Sequence, residues 1–136
     1  MIEEQFVSFD TARMLKEAGF DVPCRGIYRA YRMGNSVFRE YDRKKTKDDL
    51  CWNTEDGFQY EYLAPTQALA ARWLREVHKL HVFAKRTYEY ALDKFSWGYY
   101  IQNSDYEYCK NFEIGFDKYE QALEEGLCEA IKLIKK

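Results

Sequence analysis

Pro65-Thr66-Gln67-Ala68-Leu69-Ala70-Ala71-Arg72-Trp73-Leu74-Arg75-Glu76-Val77-His78-Lys79-Leu80 reads as an amphipathic helix. Proline stands at the start, where its missing N–H belongs to a turn that leaves such groups unbonded anyway. Leu69, Trp73, Leu74, Val77 and Leu80 fall on one apolar stripe. From His81 the period shortens to that of a strand. Val82, Ala84, Tyr88 and Tyr90 share a parity; after a turn at Asp93-Lys94, Phe95, Trp97, Tyr99 and Ile101 do the same. A helix leading into paired aromatic strands points to an α+β fold with helices packed on an antiparallel sheet.

Upstream, Phe58, Tyr60 and Tyr62 alternate with Gln59 and Glu61, which predicts a strand with one aromatic face. Gly26 to Arg32 and Val37 to Tyr41 form a predicted hairpin around Met33-Gly34-Asn35-Ser36. The polar stretch Asp42 to Asn53 reads as a loop. A first helix carries Phe9, Ala12, Leu15 and Ala18, with Ser8 or Asp10 as its cap and Gly19 as its stop. Downstream, Asn103-Ser104-Asp105 is a turn and Tyr106 to Cys109 a short return strand. A last helix starts at Asp117, with Glu120 completing a capping box. Tyr119, Leu123, Leu127, Ile131 and Ile134 line one face with Ala122 and Ala130 beside them, and Gly126 on that side allows close contact. The expected fold is α+β, an antiparallel aromatic-rich sheet with three helices, in the order α-β-β-β-α-β-β-β-α, as a single domain over residues 1–136. Ala12 to Ala18 resembles Ala71 to Val77, and each leads into a tyrosine-rich hairpin. Residues 12–41 and 71–102 therefore raise the question of an internal repeat.

Composition narrows the function classes. In 136 residues, 21 Lys and Arg face 23 Asp and Glu, a balance that excludes a strongly basic nucleic-acid coat. Hydrophobic residues make up 46% with only two prolines, which excludes a largely disordered chain. The N-terminus has no apolar core of a secretory signal and no apolar run nears the ~20 residues of a membrane span, so a cytoplasmic protein with no membrane partner is expected. Cys24, Cys51, Cys109 and Cys128 show no C-x-x-C pair and read as free thiols. A zinc site built from two of them with His78 and His81 would lack the close ligand pairing such sites use. No metal and no cofactor is expected.

No nucleophile–base signature, glycine-rich phosphate loop or isolated carboxylate pair is present, so the chain is read as non-enzymatic with no catalytic residue. Asp48-Asp49, Asp105/Glu107 and Glu124-Glu125 are adjacent acids in polar stretches, the pattern of a solvated face. His78 and His81 stand at the end of the second helix, where imidazoles suit free carbonyls and the helix dipole.

Charge segregation is more informative. Arg25 to Lys47 holds eight basic residues against Glu40 and Asp42, interleaved with Tyr28, Tyr31, Phe38 and Tyr41. Ser104 to Ile131 holds eight acids against Lys110 and Lys118. Arginine with aromatics makes protein-interface hot spots and also single-stranded nucleic-acid surfaces. Arg29, Tyr31, Arg32 and Arg39 are the candidate binding residues. The leading expectation is a protein-binding module whose partner is a host or phage protein. The alternative is a nucleic-acid-binding protein using hairpin 25–47, and a homodimer is left open.

Three stretches together carry a resemblance. They are Phe6-Val7-Ser8-Phe9-Asp10-Thr11-Ala12 with Leu15-Lys16-Glu17-Ala18-Gly19-Phe20-Asp21; Ala64-Pro65-Thr66-Gln67-Ala68 with Trp73-Leu74-Arg75-Glu76-Val77-His78; and Tyr119-Glu120-Gln121-Ala122-Leu123-Glu124-Glu125-Gly126-Leu127. Over roughly half its length, the chain resembles small uncharacterised proteins encoded by phages and prophage-like elements of intestinal anaerobic bacteria, a group with no assigned activity. The resemblance implies a genetic setting and transfers no catalytic residue. Residues 64–135 also share the α-β-β-β-α order of a double-stranded RNA-binding domain. Such domains meet phosphates with a basic start to the last helix, where this chain has Asp117-Lys118-Tyr119-Glu120.

Overall fold

The computed structural model describes residues 4–31, 34–50, 58–105 and 107–134. Two compact units divide the chain at Thr66 and Gln67. The first contains α1 (Phe9–Glu17), β1 (Cys24–Tyr31), β2 (Ser36–Lys45), a short 3-10 helix (Lys47–Asp49) and β3 (Phe58–Ala64). The second contains α2 (Gln67–Val77), β4 (His81–Glu89), β5 (Lys94–Gln102), β6 (Tyr108–Phe116) and α3 (Tyr119–Ile134). The α+β class and the element order are those expected from the sequence. The strands are shared between two antiparallel sheets, ordered β2-β1-β3 and β4-β5-β6.

In the first unit, Ser8 caps α1 by accepting the Thr11 amide at 3.3 Å, and the helix stops before Gly19. Central strand β1 has Gly26 where a side chain could not fit. A Cβ there would lie 2.5 Å from the Ala64 carbonyl oxygen and within 2.9 Å of the Phe6 and Phe38 rings. Those rings pack against each other at 4.9 Å. Tyr28 lies between its cross-strand neighbours Phe38 and Tyr62, and Phe9 of α1 meets Tyr28 and Tyr62 edge-on at 5.8 and 5.7 Å. The Tyr28 hydroxyl donates to the Val7 carbonyl at 2.7 Å, which satisfies the polar end of a half-buried ring.

In the second unit, α3 lays its small and branched residues on β4 and β5. Ala122, Leu123, Gly126, Leu127, Ala130 and Ile131 are buried, as are Val82, Tyr99 and Ile101 beneath them. A Cβ at Gly126 would come 2.9 Å from Val82 Cγ1 and 3.0 Å from Tyr99 Cβ, so the predicted close contact is real. Helix α2 packs on β4 and α3 through Ala70, Trp73 and Leu74. Gln67 ties the two helices by donating to the Glu120 carbonyl (3.0 Å) and to Glu124 (2.9 Å).

Several expectations change. Asp42 to Lys45 is not loop but the end of β2, because pairing with β1 extends to Cys24↔Lys45. Charged residues there are those of a protected sheet edge. The return strand runs much further than Cys109, to Phe116. Its pairing with β5 is interrupted at two places, which erases the alternation a sequence reading relies on. Helix α3 begins at Tyr119, so Lys118 precedes it; Asp117 instead sits 3.9 Å from Lys94. Val77, placed on the apolar stripe of α2, is 57% exposed because the chain leaves the helix there and Lys79 takes a φ of 60°. The two helix–hairpin segments also differ in topology. The third strand joins beside β1 in one sheet and beside β5, not β4, in the other.

Leu127 is fully buried at the centre of the α3 face. Leu127→Ala should destabilise the protein by roughly 2–5 kcal/mol. Gly126→Ala should cost roughly 1–3 kcal/mol through overpacking even though alanine favours helix. Denaturant midpoints left in place by both substitutions would contradict the packing described for α3.

Candidate functional site

Register decides which hairpin residues can act together. Ile27 faces Arg39 and Leu63 across the sheet, and Arg29 faces Val37 and Glu61. Side chains two residues apart on a strand share a face, so Arg29, Tyr31, Val37, Arg39 and Tyr41 lie on the side of the first sheet opposite Tyr28, Phe38 and Tyr62. Three of the four candidate residues, Arg29, Tyr31 and Arg39, are thus brought to one face. Arg32, the fourth, lies outside the described residues.

Exposure grades across this face. Ile27 and Leu63 are buried, Arg29 and Tyr31 are half-buried, and Arg39 is exposed beside Val37, which is 51% exposed. Alternation of arginines with Ile27 and Tyr31 therefore does not separate inside from outside.

Arg29 is a committed charge. Its Nε donates to Glu61 Oε2 at 2.8 Å, and the Glu61 side chain is only 4% exposed. The Glu61 carboxylate, helped by a hydrogen bond to Tyr31, holds the guanidinium above its ordinary range. The acid was not among the sequence candidates. Its alternation against Tyr60 and Tyr62 put Glu61 on the opposite face of β3, but that this face carries Arg29 is set by the pairing of β1 with β3.

Arg39 is differently placed. Its guanidinium lies 5.7 Å from the Tyr41 ring, and Lys45 Nζ approaches the same ring at 4.9 Å. Arg25 is drawn aside to Glu40 at 3.3 Å and to the Tyr41 carbonyl at 3.0 Å. The hairpin face therefore offers an apolar edge at Val37, an aromatic ring flanked by cations, and a neutralised arginine–glutamate pair.

The other candidates stand apart from this face. His78 packs edge-on against Trp73 at 4.7 Å, whereas His81 belongs to β4 and meets Phe83 at 5.1 Å. Among the described residues no three His, Cys, Asp or Glu side chains cluster as metal ligands. Burial pushes the Cys24 thiol up to about 11, so it is protonated at neutral pH and is a poor nucleophile. Asp49 caps the 3-10 helix through the Thr46 amide, and that hydrogen bond holds its carboxyl below the usual range. Glu129 is likewise lowered, first by Lys110 at 2.6 Å and then by Lys132. Among the described residues no helix is long and apolar enough to cross a membrane.

No family model matches the chain, and neither a curated protein nor a solved structure is significantly similar to it.

The Arg29–Glu61 pair makes a direct prediction. Arg29→Ala removes the cation beside a buried carboxylate and should cost about 2–4 kcal/mol, below the ~3–5 of a fully buried pair because a third of the arginine side chain meets water. Replacing both partners with apolar residues, Arg29→Met with Glu61→Leu, should cost less than Arg29→Ala. Denaturant unfolding of the two variants measures this; a double variant weaker than the single would contradict the coupling.

Proposed function

We propose that this protein is a non-enzymatic accessory protein of a phage or mobile element that works in the cytoplasm by binding another protein through hairpin β1–β2. The observation that carries this reading is the Arg29–Glu61 pair within a face that also presents Val37, Arg39 and Tyr41. A phosphate surface needs free cations. Here one of the central arginines is already neutralised, and an apolar residue lies beside it. Apolar, tyrosine and arginine groups in close company are the ingredients of protein-interface hot spots. The mobile-element setting rests on the three stretches of resemblance at residues 6–21, 64–78 and 119–127.

A nucleic-acid reading is favoured by a different observation, the Tyr41 ring flanked by Arg39 and Lys45. A base stacking there would have cations on both sides for its phosphates.

Capture from host lysate, with and without nuclease, separates the two. Arg39 is exposed, and Arg39→Ala should leave the melting temperature nearly unchanged; Tyr31→Ala also removes a hydrogen bond to Arg29, so its capture is compared with that of Tyr31→Phe at matched melting temperature. For a protein partner, capture resists nuclease and Tyr31→Ala weakens it more than Arg39→Ala. For a nucleic acid, nuclease abolishes capture, and neutralising Arg39 with Lys45 flattens the slope of log affinity against log salt by about 0.7–0.9 per contact. Wild-type capture by a folded Tyr31→Ala/Arg39→Ala double variant would overturn both readings of this face.

A further inference from the structure

The second unit holds a cavity of about 220 Å³ lined by Arg75, Lys79, His81, Gln102, Asn103 and Ser104. Its walls come from the end of α2, the start of β4, the end of β5 and the turn after it. None of the six side chains is acidic. Among the described residues, no ion pair engages Arg75, Lys79 or His81. Glu76, the acid on the last turn of α2, is instead held by Arg72 at 3.1 Å.

The remaining groups also present donors. Asn103 Oδ1 already accepts the amides of Asp105 (2.9 Å) and Glu107 (3.1 Å), and among the described residues no acceptor engages its amide N–H groups. A helix C-terminus ordinarily repels an anion. Here the Leu74 carbonyl accepts the amides of both His78 and Leu80 at 3.1 Å, and the Lys79 ammonium donates to the Glu76 carbonyl at 2.9 Å. These bonds answer two of the last carbonyls of α2, those of Leu74 and Glu76, while leaving the Lys79 charge and two of its hydrogens. Asp105 and Glu107, the nearest acids in sequence, are exposed, where solvent and salt screen them.

Next to the cavity, His81 contacts Phe83, which is stacked on Tyr100 at 5.4 Å and 13° with Lys85 over the Tyr100 ring at 5.8 Å. Cationic donors at one end and a run of aromatic rings leading away from it suit a phosphate with an organic group attached.

We propose that this cavity binds the phosphoryl group of a small phosphate monoester, with Arg75 and Lys79 as the charge-bearing contacts and His81, Asn103 and Ser104 as further donors. The site belongs to the second unit and does not depend on the hairpin reading.

NMR titration of the full chain tests it, with inorganic phosphate and adenosine monophosphate as separate probes. Saturable shifts are expected at the His81 imidazole and at the Asn103 and Ser104 amides. A nucleotide that binds more tightly than phosphate assigns the aromatic run to the organic group; equal affinities assign the site to phosphate alone. Arg75→Gln with Lys79→Gln, both on exposed side chains, should weaken binding by roughly tenfold or more. Arg43→Gln with Lys44→Gln removes the same charge from the first unit and should leave affinity within about twofold. Shifts that fail to saturate, or equal weakening by the two double variants, would overturn the proposal. Should the Arg75/Lys79 variant fold poorly, Arg75→Gln alone discriminates in the same way, since one lost charge-assisted bond still weakens a true site severalfold.

Discussion

The absence of a side chain at Gly26 is the constraint on which the first unit rests. The Ala64 carbonyl and the Phe6 and Phe38 rings converge on the space a Cβ would take. With that space filled by neighbours, β1 has one permitted alignment against β2 and β3. Tyr28 then falls among Phe9, Phe38 and Tyr62, and the odd-numbered residues fall on the other side. A slip of one residue would exchange the two faces completely. The positions of Arg29, Tyr31 and Arg39, and the meeting of Arg29 with Glu61, are consequences of that alignment.

The second unit uses the same device on a helix. Gly126 lets α3 settle onto Val82 and Tyr99 closely enough for Leu127, Ala130 and Ile131 to be sealed from water. Both units therefore pack through a glycine that admits close approach, one roofed by aromatic rings and the other lying on a sheet. Polar groups at the margins are tied rather than left exposed to apolar surroundings: Gln67 bridges α2 and α3, and Glu129 is held by two lysines.

Local signals were legible in the sequence where they are strong. The apolar stripe of α3, the Ser8 cap, the role of Gly126 and the aromatic alternation of β3 and β5 all follow from spacing and residue chemistry. Features set by non-local pairing were not. β2 extends through Asp42-Arg43-Lys44-Lys45 because β1 offers it backbone partners, which composition does not reveal. β6 is hidden by its irregular pairing with β5, and the division into two sheets depends on which side each third strand joins. At the candidate face, sequence reading found the arginines and tyrosines but missed Glu61, since only the register shows that it faces Arg29. The donor-lined cavity of Arg75, Lys79 and His81 was equally hidden, because its walls come from α2, β4 and the turn after β5.

One alignment places Arg29, Tyr31 and Arg39 on one face of the first sheet. Cross-strand backbone nuclear Overhauser contacts in the isotope-labelled protein read it directly. Contacts of Ile27 with Arg39 and Leu63 and of Arg29 with Val37 and Glu61 are expected. A pattern in which Tyr28 stands directly opposite Arg39, or opposite Val37, in place of Phe38 would put the arginines and the aromatic rings on exchanged faces and contradict it.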